Sequence, residues 1–267
     1  MPWATANIRV NLDTISLAIS TNQTNVNVAA LFGSYWKDNI AKTLTINSGV
    51  VIGSPLTSNY ALYINPNLGG SFTLINYGSI QGAGGAANSG TGGPAIYAGS
   101  AVTINNQGSI YGGGGGGGLG GTGGGGVYSY YYECNCHQCC DCYDCDGAQC
   151  CYNCNECCDT CTGTTPTTGG AGGAGGIGQG YAQNNTGGVG GAGGSGPGAG
   201  TGGTGGTGGT FGNSGDPGNT GANGTATNPP TLGQAGGPAY GGLAGYYIVG
   251  NGNVTWSATG TRGGRVG

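Results

Sequence analysis

The residues best equipped for chemistry in this 267-residue chain are its twelve cysteines, all between positions 134 and 161: Cys134, Cys136, Cys139, Cys140, Cys142, Cys145, Cys150, Cys151, Cys154, Cys157, Cys158 and Cys161. Six of the nine acids (Glu133, Asp141, Asp144, Asp146, Glu156 and Asp159) and the single histidine, His137, lie in or beside the same stretch. Cys-x-x-Cys spacings recur at Cys136/Cys139, Cys139/Cys142, Cys142/Cys145, Cys151/Cys154, Cys154/Cys157 and Cys158/Cys161. That spacing lets two thiolates reach one metal from a tight loop, so the set is sufficient for tetrahedral zinc sites or iron–sulfur clusters. The adjacent pairs Cys139-Cys140, Cys150-Cys151 and Cys157-Cys158 instead suit a disulfide-dense loop. Both chemistries stay open at this point. Met1-Pro2-Trp3 leads into no apolar leader, so synthesis in a cytosol is expected, which favours metal at first. A particle released from the cell could oxidise later. His137 reads as a surface residue rather than a ligand, and so many crowded thiols read as structural staples rather than one reactive redox pair.

Composition limits the remaining chemistry. The chain holds 69 glycines and 10 prolines, only 5% of its residues are charged, and its net charge is −4. So few charges exclude a salt-bridged helical bundle, and the absence of any basic patch argues against nucleic acid or an anionic membrane surface as partner. No stretch approaches the length of a membrane span. Outside the cysteine segment the only carboxylates are Asp13, Asp38 and Asp216, too few for the paired acids of a glycan-cleaving groove. No enzyme is expected and no catalytic residue is assigned.

The elements that must position the cysteines are β-type. Leu44-Thr45-Ile46, Val50-Val51-Ile52, Leu62-Tyr63-Ile64 and Phe72 to Ile75 are short β-branched runs bounded by Asn, Gly, Ser or Pro. One short helix is expected at Val28-Ala29-Ala30-Leu31-Phe32, capped by Asn27 and stopped near Gly33. The run from Phe72 to Gly82 aligns with Val102 to Gly112 at an offset of 30, Thr45 to Gly53 fits as a third copy with one residue deleted, and Ala61-Leu62-Tyr63 matches Ala95-Ile96-Tyr97. Such a repeat predicts an all-β fold whose N-terminal part is a β-solenoid of short strands, because one unit cannot bury its own apolar face. A small β-sandwich is the alternative.

Glycine dominates Gly112 to Gly126 and Gly169 to about Gly242, the second tract in triplets such as Gly187-Gly188-Val189 and Gly202-Gly203-Thr204. Three residues per turn would place glycine on two faces and a side chain on the third. The expectation is a polyglycine II-type array of packed extended helices, with a flexible linker as the alternative. The organisation read from the chain is a β-rich attachment and repeat region (1–111), a glycine-rich tract (112–126), a cysteine-rich insertion (127–163), a glycine-triplet array (164–245) and a C-terminal hairpin (246–267) that turns at Gly250-Asn251-Gly252.

Three phrases carry a family resemblance: Thr43 to Ser54, the two Gly-Ser-Ile copies leading into glycine runs, and Ile248 to Trp256 followed by Thr259-Gly260-Thr261-Arg262. Together they resemble the receptor-binding distal tail-fibre or tail-tip adhesins of tailed bacteriophages, over residues 20–126 and 165–267. The resemblance implies a glycine-helix sandwich with variable tip loops on the host surface, other tail or baseplate proteins as partners, a protein or polysaccharide receptor, and a place on the virion tail after synthesis in the host cytoplasm. Monomer and homotrimer are both compatible with it. The cysteine segment departs from the pattern, standing where a tip loop is expected, either as a receptor-reading loop or as a clasp. Tyrosine brings amphipathic contact area at low entropy cost, so Tyr130, Tyr131, Tyr132, Tyr143 and Tyr152 are the candidate receptor contacts. The competing function is a structural tail or baseplate component held by its metal or disulfide cluster, with no direct receptor contact. A polysaccharide depolymerase and an ice-binding glycine-helix protein are weaker readings.

Overall fold

The β-branched runs form strands of three to six residues, too short to stand alone, which are buried by stacking on the matching run of the next coil. The structure, a computed structural model, describes residues 9–11, 13–145, 148–225 and 234–267, with the backbone alone for 9–11 and 138–158. After an edge strand β1 (Arg9–Asn11), the first coil contains β2 (Thr14–Ile19), β3 (Gln23–Thr24) and β4 (Val26–Asn27). Helix α1 (Val28–Phe32) and a 3-10 turn (Gly33–Lys37) lead to the second coil: β5 (Ala41–Ile46), β6 (Val51–Gly53) and β7 (Leu62–Ile64). The third is β8 (Ser71–Asn76), β9 (Ser79–Gln81) and β10 (Ile96–Ala98); the fourth begins with β11 (Val102–Asn106) and β12 (Ser109–Tyr111). The chain then leaves for a long excursion that includes the paired strands β13 (Val127–Cys145) and β14 (Ala148–Pro166), and returns to close the fourth coil with β15 (Tyr246–Val249). A last coil follows as β16 (Val254–Ala258), β17 (Thr261–Gly263) and β18 (Arg265–Val266).

Equivalent strands stack into three sheets, ordered β1-β2-β5-β8-β11-β16, β18-β15-β10-β7-β4 and β17-β12-β9-β6-β3. All pairings in them are parallel except β1 with β2. Register puts like on like. Leu17, Leu44, Leu74, Ile104 and Trp256 form one column, Leu62, Ile96 and Ile248 a second, and Ile52, Ile80 and Ile110 a third. These columns form the buried core, with Trp256 partly buried at its end, and a period-2 pattern is what one buried sheet face requires. At one corner the apolar column gives way to buried asparagines: the Asn76 amide donates to Asn106 Oδ1 at 2.8 Å, and Asn106 donates to the Thr259 carbonyl at 2.8 Å. Each amide satisfies the corner of the next coil, so polar side chains are buried without an unmet partner.

The expected helix is present with its cap. Asn27 accepts from the Ala30 N–H at 3.0 Å, and Gly33 ends the helix at φ +59°. Asn27→Ala should therefore lower stability by about 1 kcal/mol, read as a shift of the denaturant midpoint at constant slope. The helix plugs one side of the core through Phe32, whose ring meets Phe72 at 6.0 Å, while Trp36 meets Phe72 at 5.7 Å, both edge to face.

Two sequence expectations change. Thr45 to Gly53 is a copy of the repeat, but Ile46 lies opposite Asn76 and Ile52 opposite Ile80, so its corner (residues 47–50) is longer than the corner at Tyr77-Gly78 rather than one residue short. The expected C-terminal hairpin is not one. Strands β15 and β16 do not pair with each other but join different sheets, and β15 pairs in parallel with β10 and β18. The turn at Gly250-Asn251-Gly252 is a solenoid corner, and strands that find ready-made parallel edges on the coil below have no need of each other.

Between β12 and β15 the glycine segments are ordered by backbone hydrogen bonds at every third residue. Residues 112–126 lie in the middle. The N–H groups of Gly117, Gly120 and Gly123 donate to the carbonyls of Gly176, Gly173 and Gly170, while those of Gly118, Gly121 and Gly124 donate to Asp216, Asn219 and Ala222. The carbonyls of Gly118, Gly121 and Gly124 accept from Gly206, Gly203 and Gly200, and those of Gly116, Leu119 and Thr122 accept from Gly242, Ala239 and Gly236. A segment bonded on all sides has no face left for a side chain, which explains why Gly112 to Gly118 is an unbroken glycine run, and why Leu119 and Thr122 sit where the segment meets solvent. The outer segment Thr186–Ser195 has bonded neighbours on fewer sides and repeats as Gly-Gly-X, with Val189 exposed.

Candidate functional site

The cysteine segment forms the distal part of an antiparallel hairpin. Among the described residues strands β13 and β14 pair only with each other, from Val127↔Pro166 to Cys145↔Ala148, each 19 residues long, with register shifts between Cys134 and His137 and between Cys139 and Asp141. At ~3.3 Å per residue each strand reaches about 60 Å. The hairpin springs from the glycine segments: the Thr167 N–H donates to the Gly126 carbonyl at 2.9 Å, directly below the first pair. A two-stranded ribbon this long buries little apolar surface and is marginal without further ties. One tie is explicit. Cys134 and Cys161 are joined by a disulfide with Cα atoms 5.7 Å apart, and Cys136 is disulfide-bonded as well. The side chains of Cys139, Cys140, Cys142, Cys145, Cys150, Cys151, Cys154, Cys157 and Cys158 lie outside the described residues, as do those of Tyr143 and Tyr152.

Tyr130, Tyr131 and Tyr132 are at the base of the hairpin and all exposed, Tyr131 at 75%. Alternation along β13 groups Tyr128, Tyr130 and Tyr132 on one face, their rings 6.1 Å and 5.9 Å apart in succession. Gly163 stands opposite Tyr130, and a Cβ there would lie 2.6 Å from the Tyr130 ring, so the missing side chain makes room for the aromatic. The result is an exposed row of phenol rings. His137 Nδ1 is 3.1 Å from the Asn135 carbonyl and its ring is exposed, as the sequence reading expected.

A second aromatic surface escaped the sequence reading. Tyr63 and Tyr97 occupy matching positions on β7 and β10, their rings stacked 4.8 Å apart at 9°, with Tyr60 5.2 Å from Tyr97. Burial, reinforced by Tyr97 and then Tyr63, raises the Tyr60 pKa above its ordinary value. Beside them a cleft of about 460 Å³ is bounded by Thr57, Tyr60, Pro94, Tyr246 and Arg265, with the Arg265 guanidinium 4.1 Å over the Tyr246 ring. The Ala61-Leu62-Tyr63 and Ala95-Ile96-Tyr97 repeat was the available signal, because like residues at like coil positions must stack.

Residues 14–136 match the family described as Phage tail fibre adhesin Gp38. Over that segment the chain is similar to phage tail-fibre adhesins. The match bears out the resemblance drawn from Thr43 to Ser54 and from the Gly-Ser-Ile copies leading into glycine, and does not reach the phrase from Ile248 to Arg262. The match takes in the coils up to β12, the central glycine segment and the foot of the hairpin, and ends at Cys136. Among solved structures the chain is similar to a chain of the gp37-gp38 adhesin tip complex of the bacteriophage S16 long tail fiber, at 20% identity, covering 93% of this chain and 80% of that one with a TM-score of 0.41. Among curated proteins nothing matches.

Proposed function

We propose that this chain is a non-enzymatic adhesin of a phage tail fibre that binds a protein or polysaccharide on the host surface. The match of residues 14–136 to tail fibre adhesins carries the reading. In it, the stacked coils and glycine segments act as a rigid mount, and the hairpin presents Tyr130, Tyr131 and Tyr132 to the receptor. Two features support this assignment: the rings are exposed and pre-ordered in a row, and among the described residues the hairpin shares no sheet with other strands. The partners are other tail proteins on one side and the receptor on the other, and the site of action is the virion tail. Purified chain should bind host cells saturably and block attachment of the virion. A folded chain that does neither would favour a structural tail or baseplate component without receptor contact.

The mount is a polyglycine II array in this reading. Support comes from the three-residue step of the backbone bonds and from the exposure of Leu119, Ile177, Val189, Tyr240 and Leu243. Backbone dihedrals measured by NMR at Gly117 and Gly120 should lie near φ −75° and ψ +145°.

A further inference from the structure

Six cysteines lie on β13 and six on β14, and a hairpin allows only one complete set of cross-strand pairs that do not cross: the first with the last, and so inward. We propose that this set forms, giving six nested disulfides, Cys134–Cys161, Cys136–Cys158, Cys139–Cys157, Cys140–Cys154, Cys142–Cys151 and Cys145–Cys150. The backbone register brings the two members of each pair opposite, diagonal or into the same register shift.

Cys142 and Cys151 are direct partners. Cys136 and Cys158 lie between the pairs Cys134↔Asp159 and His137↔Cys157, and Cys140 and Cys154 between Cys139↔Asn155 and Asp141↔Tyr152, so each of these two sets meets across one of the register shifts. The remaining three are diagonal, and all in the same sense. Cys134 faces Asp159, Cys139 faces Asn155 and Cys145 faces Ala148, and in each case the proposed partner lies two residues further along β14. One of these diagonals is already closed, between Cys134 and Cys161. Its Cα separation of 5.7 Å falls within the range a disulfide needs. Twist in an antiparallel ribbon brings one of its two diagonals closer, so a repeated sense is what geometry favours. Each of the two register shifts holds one proposed pair, Cys136 with Cys158 in the first and Cys140 with Cys154 in the second. Twelve cysteines have on the order of ten thousand pairings, and the nested one is the single complete cross-strand set that does not cross.

The oxidant is a small-molecule disulfide such as oxidised glutathione. For each pair one protein thiolate attacks the external disulfide and expels one thiol; the second protein thiolate attacks the mixed disulfide and expels the other. Two electrons and two protons leave the protein per bond and appear as two reduced small thiols. The pairing rests on register alone and does not depend on the adhesin reading.

The test uses the full chain equilibrated with a mixture of reduced and oxidised glutathione, then denatured without reductant. The expected result is no titratable thiol, and stepwise reduction with alkylation and mass spectrometry should return the six pairs named. Cys142→Ser with Cys151→Ser should again leave no free thiol, whereas Cys142→Ser alone should leave one, alkylated at Cys151. Any other connectivity, alkylation elsewhere in the single variant, or retention of the thiols on stoichiometric zinc or iron overturns the proposal.

Discussion

Gly117→Ala should prevent the glycine segments from assembling, at a cost above about 3 kcal/mol, while Gly190→Ala should leave the protein as stable or raise its stability by roughly 0.4–1 kcal/mol. The substitution is the same and the surroundings decide its sign. A Cβ on Gly117 would lie 1.9 Å from the Gly206 carbonyl oxygen and 2.5 Å from its carbon, both backbone atoms that are themselves tied by hydrogen bonds. Neither can move without breaking the contacts of Gly206 with Gly118 and Gly176. A Cβ on Gly190 would meet nothing within 4 Å, and alanine there restricts only the unfolded chain. Thermal unfolding of the two variants beside the parent checks both. Equal, small effects would mean that the central segment is not enclosed.

Lys42→Met should cost about 3 kcal/mol at neutral pH and flatten the alkaline side of the stability profile. Lys42 occupies an inward position of β5 between Ile15 and Phe72 of the adjoining coils and is 1% exposed. Its ammonium donates to the carbonyls of Asp38 at 2.8 Å, Ile40 at 3.1 Å and Gly69 at 2.7 Å, tying the entry to β5 to the next coil. Methionine can replace the stem but not these bonds. Loss of water lowers the Lys42 pKa below 10.5, opposed by the Asp38 charge. Between the lowered folded value and 10.5 the unfolded chain binds more protons than the folded one, so the lysine's contribution to stability rises with pH through that window. The methionine variant lacks that rise. A variant as stable as the parent, with the same slope, would contradict the bracing role.

The core was largely legible in the sequence because its signal is local. The runs at Leu44, Val51, Leu62 and Phe72, the Asn27 cap and the 30-residue repeat each appear within a few residues of the structure they specify. What escaped is set by distant segments. That β11 pairs with β16 across the whole excursion, and that Ile248 stacks on Ile96, depends on a chain returning to the same coil, for which no short-range pattern exists. The apolar-turn-apolar run at the C-terminus has the local appearance of a hairpin, and only the open edges of β10 and β11 decide otherwise. Lys42 was hidden because a lysine flanked by Thr and Ala normally marks a solvated face. At the candidate site, Tyr130, Tyr131 and Tyr132 stood out by residue type alone and their exposure comes from the strand pairing, whereas the Tyr60, Tyr63 and Tyr97 stack required the coil register.

Recognition by the hairpin is tested most directly by removing it. Its two ends meet at the Thr167–Gly126 hydrogen bond, so residues 127–166 can be replaced by a Gly-Gly link without stretching the glycine segments. The shortened and full-length proteins, matched for thermal unfolding, would be compared for saturable binding to host cells. Loss of binding in a shortened protein that unfolds like the parent is the expected result. Undiminished binding would contradict it and place recognition elsewhere on the chain.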